Sequence, residues 1–199
     1  MIARNDEAVK LEEDDIDDIL YSVRTDDKDE LNSLLKGLAE KYTTTEQIIL
    51  QSSIADHSGN TAIHFAAANG LKDLLHHILQ TLNLPPGSDF VNRRNQSGNT
   101  SLHWSSLNGH LETTKLLVEA GADLWVRNSA GNLAVFEAER AGKDDVVAYL
   151  LKVGGTEKEN EGETSNDGEA MTDVSTEEMQ VDDAMQGASK DMAGTSLNG

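Results

Sequence analysis

Hydrophobic positions along this chain recur at intervals of three and four. Ile16, Ile19, Leu20 and Val23 make one apolar helical face, and Leu31, Leu34, Leu35 and Leu38 make a second, joined through the polar stretch "RTDDKDE". Further on, Leu74, Ile78 and Leu79, then Thr114, Leu116, Leu117 and Val118, then Val146, Leu150 and Leu151 mark the packed stripes of three more helices. Asp27 with Glu30 three residues later reads as a capping box, the reciprocal side-chain and backbone bonding that starts a helix. Thr43 with Glu46 in "KYTTTEQIILQSSIA" has the same spacing and predicts one or two extra helical turns there.

Laid against itself, the middle of the chain repeats. "SGNTAIHFAAANGLKDLLHHIL" begins at Ser58, "SGNTSLHWSSLNGHLETTKLLVEAGAD" at Ser97 and "AGNLAVFEAERAGKDDVVAYLLKVGG" at Ala130. Gly98 to Gly131 and Gly109 to Gly142 are each 33 residues, while Gly59 to Gly98 and Gly70 to Gly109 are each 39. The excess falls around "TLNLPPGSD", where Pro85 and Pro86 forbid helix continuation and predict an enlarged loop. Thr61 and Thr100 stand where a short helix begins, so their hydroxyls can cap the backbone N–H groups of His64 and His103. Gly70, Gly109 and Gly142 end that helix, at positions that need a left-handed backbone. In the last copy Leu133 and Phe136 replace the Thr and His, and Asn132 is expected to take over the cap.

A period of 33 with Thr-x-Leu/Ile-His followed by small residues resembles the ankyrin repeat. The resemblance implies an all-α ankyrin-repeat solenoid of about four repeats, each a helix-turn-helix with a hairpin loop. Neighbouring repeats bury one another's stripes, because a single pair has no core of its own. The expected organisation is a flexible acidic N-terminus over 1–13 and a repeat domain over 14–155, then a disordered acidic tail over 156–199. Within the domain, 14–50 is a degenerate capping repeat, 56–93 a repeat with the enlarged loop, 95–127 a third repeat and 128–155 the last.

The third repeat also holds Ser101, His103, Ser105, Ser106 and Glu112, the residue types of hydrolytic sites. The repeat accounts for them otherwise. His103 shares its helix start with His64, and Ser105 and Ser106 fill the places of Ala66 and Ala67, where small size is required. Nothing orients a nucleophile and base as a catalytic group would need, so no enzyme is expected. His76 and His77 are adjacent on a helix and face different ways, which argues against a metal pair. No cofactor or metal is implied.

Charge changes the picture more than any motif. The 199 residues carry a formal net charge of −20 and no cysteine. Residues 1–31 hold twelve acids against four bases and 156–199 twelve against two, while 32–155 are nearly balanced at twelve against ten. Such acidity argues against nucleic acid as a direct ligand and for a basic partner. The tail has no aromatic residue and too little apolar surface to offset the entropy of ordering it. Without cysteine, an apolar signal segment at the start or a membrane-length apolar run, the chain reads as soluble, monomeric and intracellular.

In ankyrin-repeat proteins the partner usually lies on the concave side, built from hairpin tips and the exposed positions of first helices. The resemblance carries that role onto His57, Ser58, Asn60, Ala68, Asn69, Gln96, Ser97, Asn99, Leu107, Asn108, Ser129, Asn132 and Arg140. Trp104, aligned with Phe65 and Glu137, projects next to this surface, and Trp125 stands in a hairpin where the family usually has a small polar residue. Both are candidate aromatic anchors. More narrowly, "GNTSLHWSSLNGHLETTKLL" and "RNSAGNLAVFEAERAGKDDV" resemble the fungal ankyrin-repeat chaperones that escort small-subunit ribosomal protein number three. That resemblance implies a protein-binding scaffold that shields a basic ribosomal protein before assembly, in the cytoplasm, with the nucleus as a second expected compartment. A regulatory adaptor or inhibitor of a signalling or transcription protein, and an acidic histone chaperone, remain as alternatives.

Overall fold

The computed structural model describes residues 9–55 and 57–161, with side chains as far as Gly155. The described residues form α1 (Glu13–Arg24), α2 (Lys28–Lys41), α3 (Glu46–Ser52), α4 (Ala62–Ala68) and α5 (Lys72–Leu82). After the enlarged loop come α6 (Ser101–Asn108), α7 (Leu111–Glu119), α8 (Ala134–Arg140) and α9 (Asp144–Glu161). Antiparallel pairs α1/α2, α4/α5, α6/α7 and α8/α9 stack in order. Their first helices make an inner row, α1–α4–α6–α8, and their second helices an outer row into which α3 is inserted between α2 and α5. The stack of four helix pairs is the solenoid expected, with the Ile54–Thr61 bridge as the single β pairing among the described residues.

The inner helices α4, α6 and α8, of about two turns each, are too short to hold alone, so their stability comes from packing. Ile19, Leu35, Ile63, Leu75, Ile78, Leu102 and Leu117 are sealed between the two rows. Ala66, Ala67, Ser105, Ser106 and Ala138 are buried where inner helices approach one another, which explains why those positions stay small. Asp27 caps α2, accepting from the Glu30 N–H at 2.9 Å, which is one half of the capping box its spacing predicts. Gly70, Gly109 and Gly142 all have positive φ, as the ends of inner helices require.

Several boundaries differ from the sequence reading. Thr45, not Thr43, caps α3, accepting from the Ile48 N–H at 3.3 Å. Thr43 has φ +54° and turns the chain between α2 and α3. The boundary placed at 50 falls inside α3, whose Ile49 and Leu50 are buried. Residues 9–12 are not a loose arm: Leu11 is buried, the Val9 N–H donates to Ser52 Oγ at 3.3 Å, and the Glu12 N–H donates to the Tyr42 hydroxyl at 3.1 Å. The cap of α8 is Leu133, and Asn132 is used elsewhere. Helix α9 runs past the boundary at 155 to Glu161, and the remaining tail expectation lies outside the described residues. Leu151 is 62 % exposed although it belongs to the predicted stripe. It occupies the register of Leu79 and Val118, which are partly buried against the core, and Phe136, in the same last pair, is 47 % exposed.

The hairpins between pairs share one closure. The N–H groups of Ala55, Asn95 and Asn128 each donate to the carbonyl oxygen of Asn60, Asn99 and Asn132 at 2.9 Å. Adjacent tips are stitched by Gln96 N–H to the Ser58 carbonyl at 2.9 Å and Ser129 N–H to the Ser97 carbonyl at 3.0 Å. The enlarged loop folds down on the next pair: the Gly87 N–H donates to the Ala120 carbonyl at 3.0 Å, and Asn92 Oδ1 accepts from the Asp123 N–H at 2.7 Å.

This docking gives a paired test. Gly121 and Gly131 have nearly equal φ, +83° and +82°, but a methyl on Gly121 would lie 2.1 Å from the Gly87 nitrogen, whereas one on Gly131 would meet nothing within 4 Å. Gly131→Ala should cost about 1 kcal/mol of unfolding free energy for its left-handed backbone. Gly121→Ala should cost a further ~1–3 kcal/mol through displacement of the loop, read as the difference in urea midpoints at equal slope.

Candidate functional site

The inner helices α4 and α6 are each fixed at their start by Thr and His acting together. His64 Nδ1 accepts from the Thr61 N–H at 3.2 Å and contacts its hydroxyl at 2.9 Å, and His103 does the same with Thr100. With Nδ1 an acceptor, Nε2 carries the proton. It donates across the repeat boundary, from His64 to the Asn99 carbonyl at 3.2 Å and from His103 to the Asn132 carbonyl at 3.1 Å. Both nitrogens of each ring are thereby used. Ser105 Oγ donates to the Leu102 carbonyl at 3.2 Å and accepts from Thr114 at 3.0 Å. The letters that suggest a hydrolytic site are spent on helix starts and close packing. His77, half-buried, bonds Asn32 Oδ1 at 2.6 Å.

Burial pushes the His64 imidazole down to about 4, although the Asn99 carbonyl favours its charged form. The His103 ring is lowered for the same first reason, against the pull of the Asn132 carbonyl and the Glu137 carboxylate.

A second ladder runs through the asparagines at the hairpin bases. Asn95 Nδ2 donates to Asn60 Oδ1 at 2.9 Å and Asn128 Nδ2 to Asn99 Oδ1 at 2.8 Å. Asn128 and Asn132 also donate to Glu137 Oε1, at 2.8 and 3.0 Å. The other Glu137 oxygen pairs with Arg140. Burial raises the Glu137 carboxyl, but the Asn132 and Asn128 amides, then the Arg140 charge, outweigh it and hold the group below its ordinary value.

These bonds sort the expected partner-binding residues. Asn99 and Asn132, half-buried, join repeats and do not stand free on the surface. Asn108 reaches back to the Ala68 carbonyl at 2.7 Å. Asn69, Gln96 and Arg140 are exposed, and Leu107 is half-buried. Phe65 and Trp104 are half-buried on the inner row, with the Arg24 guanidinium 5.3 Å from the Phe65 ring centre. Asn99, His103, Trp104, Leu107, Glu137 and Arg140 come together around one cavity of about 90 Å³. Trp125 does not join them. It is 47 % exposed and borders a separate apolar cavity of about 230 Å³ with Leu124, Leu133, Leu150, Leu151 and Gly154. Sequence reasoning missed Arg24 and, one turn before it, Tyr21, which is 63 % exposed. Their repeat lacks the Gly-x-Thr and His marks that put the others in register.

A family model described as "Ankyrin repeats (3 copies)" matches residues 19–128 and 84–162. The chain belongs to the ankyrin-repeat family. Among ankyrin-repeat relatives it is 37 % identical over 158 residues to the ankyrin repeat-containing protein YAR1 of Saccharomyces cerevisiae, covering 77 % of this chain and 76 % of that one. It is 32 % identical over 137 residues to ankyrin repeat-containing protein P16F5.05c of Schizosaccharomyces pombe, covering 69 % and 84 %. A crystal structure of the yeast ribosomal protein Rps3 in complex with its chaperone Yar1 contains a chain that superposes with TM-score 0.65 at 38 % identity. The match covers 72 % of this chain and 95 % of that one. In this ankyrin stack the inner row is the face on which the cavity at Trp104 and Glu137 opens.

The neutral histidines give the stack a pH dependence of known sign. His64 titrates near 6.5 when unfolded and at about 4 when folded, so unfolded chains bind more protons between those values. Its contribution is complete above pH 6.5 and is lost as pH falls toward 4, by up to about 3 kcal/mol. His64→Gln should be less stable at pH 7 yet lose less on acidification than the parent. Thermal midpoints at pH 7 and pH 5 for both chains isolate this effect from the carboxylates that both share.

Proposed function

We propose that this ankyrin-repeat chain is a dedicated chaperone of small-subunit ribosomal protein number three, Rps3, holding it soluble before its assembly into the small ribosomal subunit. The observation that carries this reading is the likeness to the chaperone chain in the Rps3–Yar1 structure, at 38 % identity over 95 % of that chain. Charge supports it. A ribosomal protein is basic because it binds rRNA, and before assembly its cationic surface adheres to any polyanion. All but two of this chain's twenty net negative charges lie in 1–31 and 156–199. The nearly neutral repeats from residue 32 on supply shape, and the acidic segments 1–31 and 156–199 raise the encounter rate and screen the rest of the client. Release follows when rRNA competes for the same cations. The chain works as a scaffold and not as an enzyme, in keeping with the engagement of His103 and Ser105 in packing.

Purified chain should bind purified Rps3, with an affinity that falls about tenfold or more between 0.05 and 0.5 M salt. Removing 162–199 leaves α9 whole and should slow association about three- to tenfold while changing dissociation less. Surface plasmon resonance reads both quantities. Absence of binding, or affinity indifferent to salt, overturns the reading.

A further inference from the structure

The inner face carries one group that its own repeats do not explain. At the register where α4 and α6 present Phe65 and Trp104, α8 presents Glu137, a carboxylate only 5 % exposed. Two asparagine amides hold its Oε1, which fixes the orientation of the carboxylate and leaves Oε2 to the cavity side. There the partner is Arg140, whose side chain is 67 % exposed and comes from the next turn of the same helix. Trp104 lines the same cavity, with Leu107 at its edge.

We propose that this cavity is a recognition pocket for an arginine side chain of the client, with Glu137 as its base, Trp104 as its wall and Arg140 as an internal guanidinium that the guest replaces. A planar guanidinium suits both surfaces, since it pairs with a carboxylate in its plane and lies against an aromatic face. The cavity's roughly 90 Å³ is room for about three waters, a head group's worth of space. Arg140 is held from one side only, and an ion pair with so exposed a partner is weak enough to exchange. The pocket rests on the chaperone reading only for the identity of the client.

The test uses the full chain and two probes. The first is N-acetyl-arginine amide, with its neutral citrulline counterpart as control, followed by NMR at the Trp104 indole N–H. The chain has two tryptophans, and Trp104→Phe assigns the signal. The arginine derivative should shift that signal and the citrulline derivative should not. Glu137→Gln, which keeps oxygen for the two asparagines, should weaken the titration about tenfold or more. Arg140→Ala should strengthen it about threefold by removing the competitor. The second probe is Rps3, for which the two variants should split in the same opposite directions. A structural ion pair would make both variants weaken binding together. That result, or a titration unmoved by Glu137→Gln, overturns the pocket. Response to the arginine derivative without any Rps3 binding keeps the pocket and removes the chaperone reading.

Discussion

The stack depends on a buried imidazole that serves two repeats at once. His64 and His103 each accept a hydrogen bond from the backbone N–H at the start of their own helix and donate one to a carbonyl of the next hairpin. Helices of seven or eight residues cannot persist alone. The ring therefore sets the angle at which each short helix leaves its hairpin and the distance to its neighbour, and the alanines and serines behind it pack only at that distance. Hairpin stitching, the asparagine ladder and the inner face all inherit their spacing from this contact.

Much of this was legible in the sequence, for reasons that differ by residue. The 33-residue period, the Thr–His pairs and the glycines at positive φ are tied to the backbone, and backbone requirements leave a strong mark on residue type. Surface roles leave a weaker one. Asn99 and Asn132 look exposed when aligned with loop tips, yet an amide has both a donor and an acceptor to place, and here they go to the neighbouring repeat. Trp125 looks like part of the binding face because it follows a hairpin, but its ring lies against Gly154 of α9, 3.5 Å from where a methyl there would stand. Tyr21 and Arg24 escaped notice because the first pair has no Thr–His register from which to count.

The division of charge gives the molecule two separable properties. The repeats from residue 32 on, nearly balanced at twelve acids against ten bases, stack with little self-repulsion, while most of the remaining acids lie on the first helix pair and in 156–199. Long-range attraction and shape recognition are thus built from different residues. Glu137 is the exception, a charge set deep in the neutral part and held by neighbours that satisfy one of its oxygens completely.

The last pair lacks a contact that its two predecessors share. Phe136 stands in the register of His64 and His103, but a phenyl ring has no nitrogen with which to address a following carbonyl. The joint that links the second and third pairs to their successors is therefore missing at the fourth. A single hydrocarbon ring thus leaves the outer end of the fourth pair without the polar handhold by which its two predecessors grip the next hairpin.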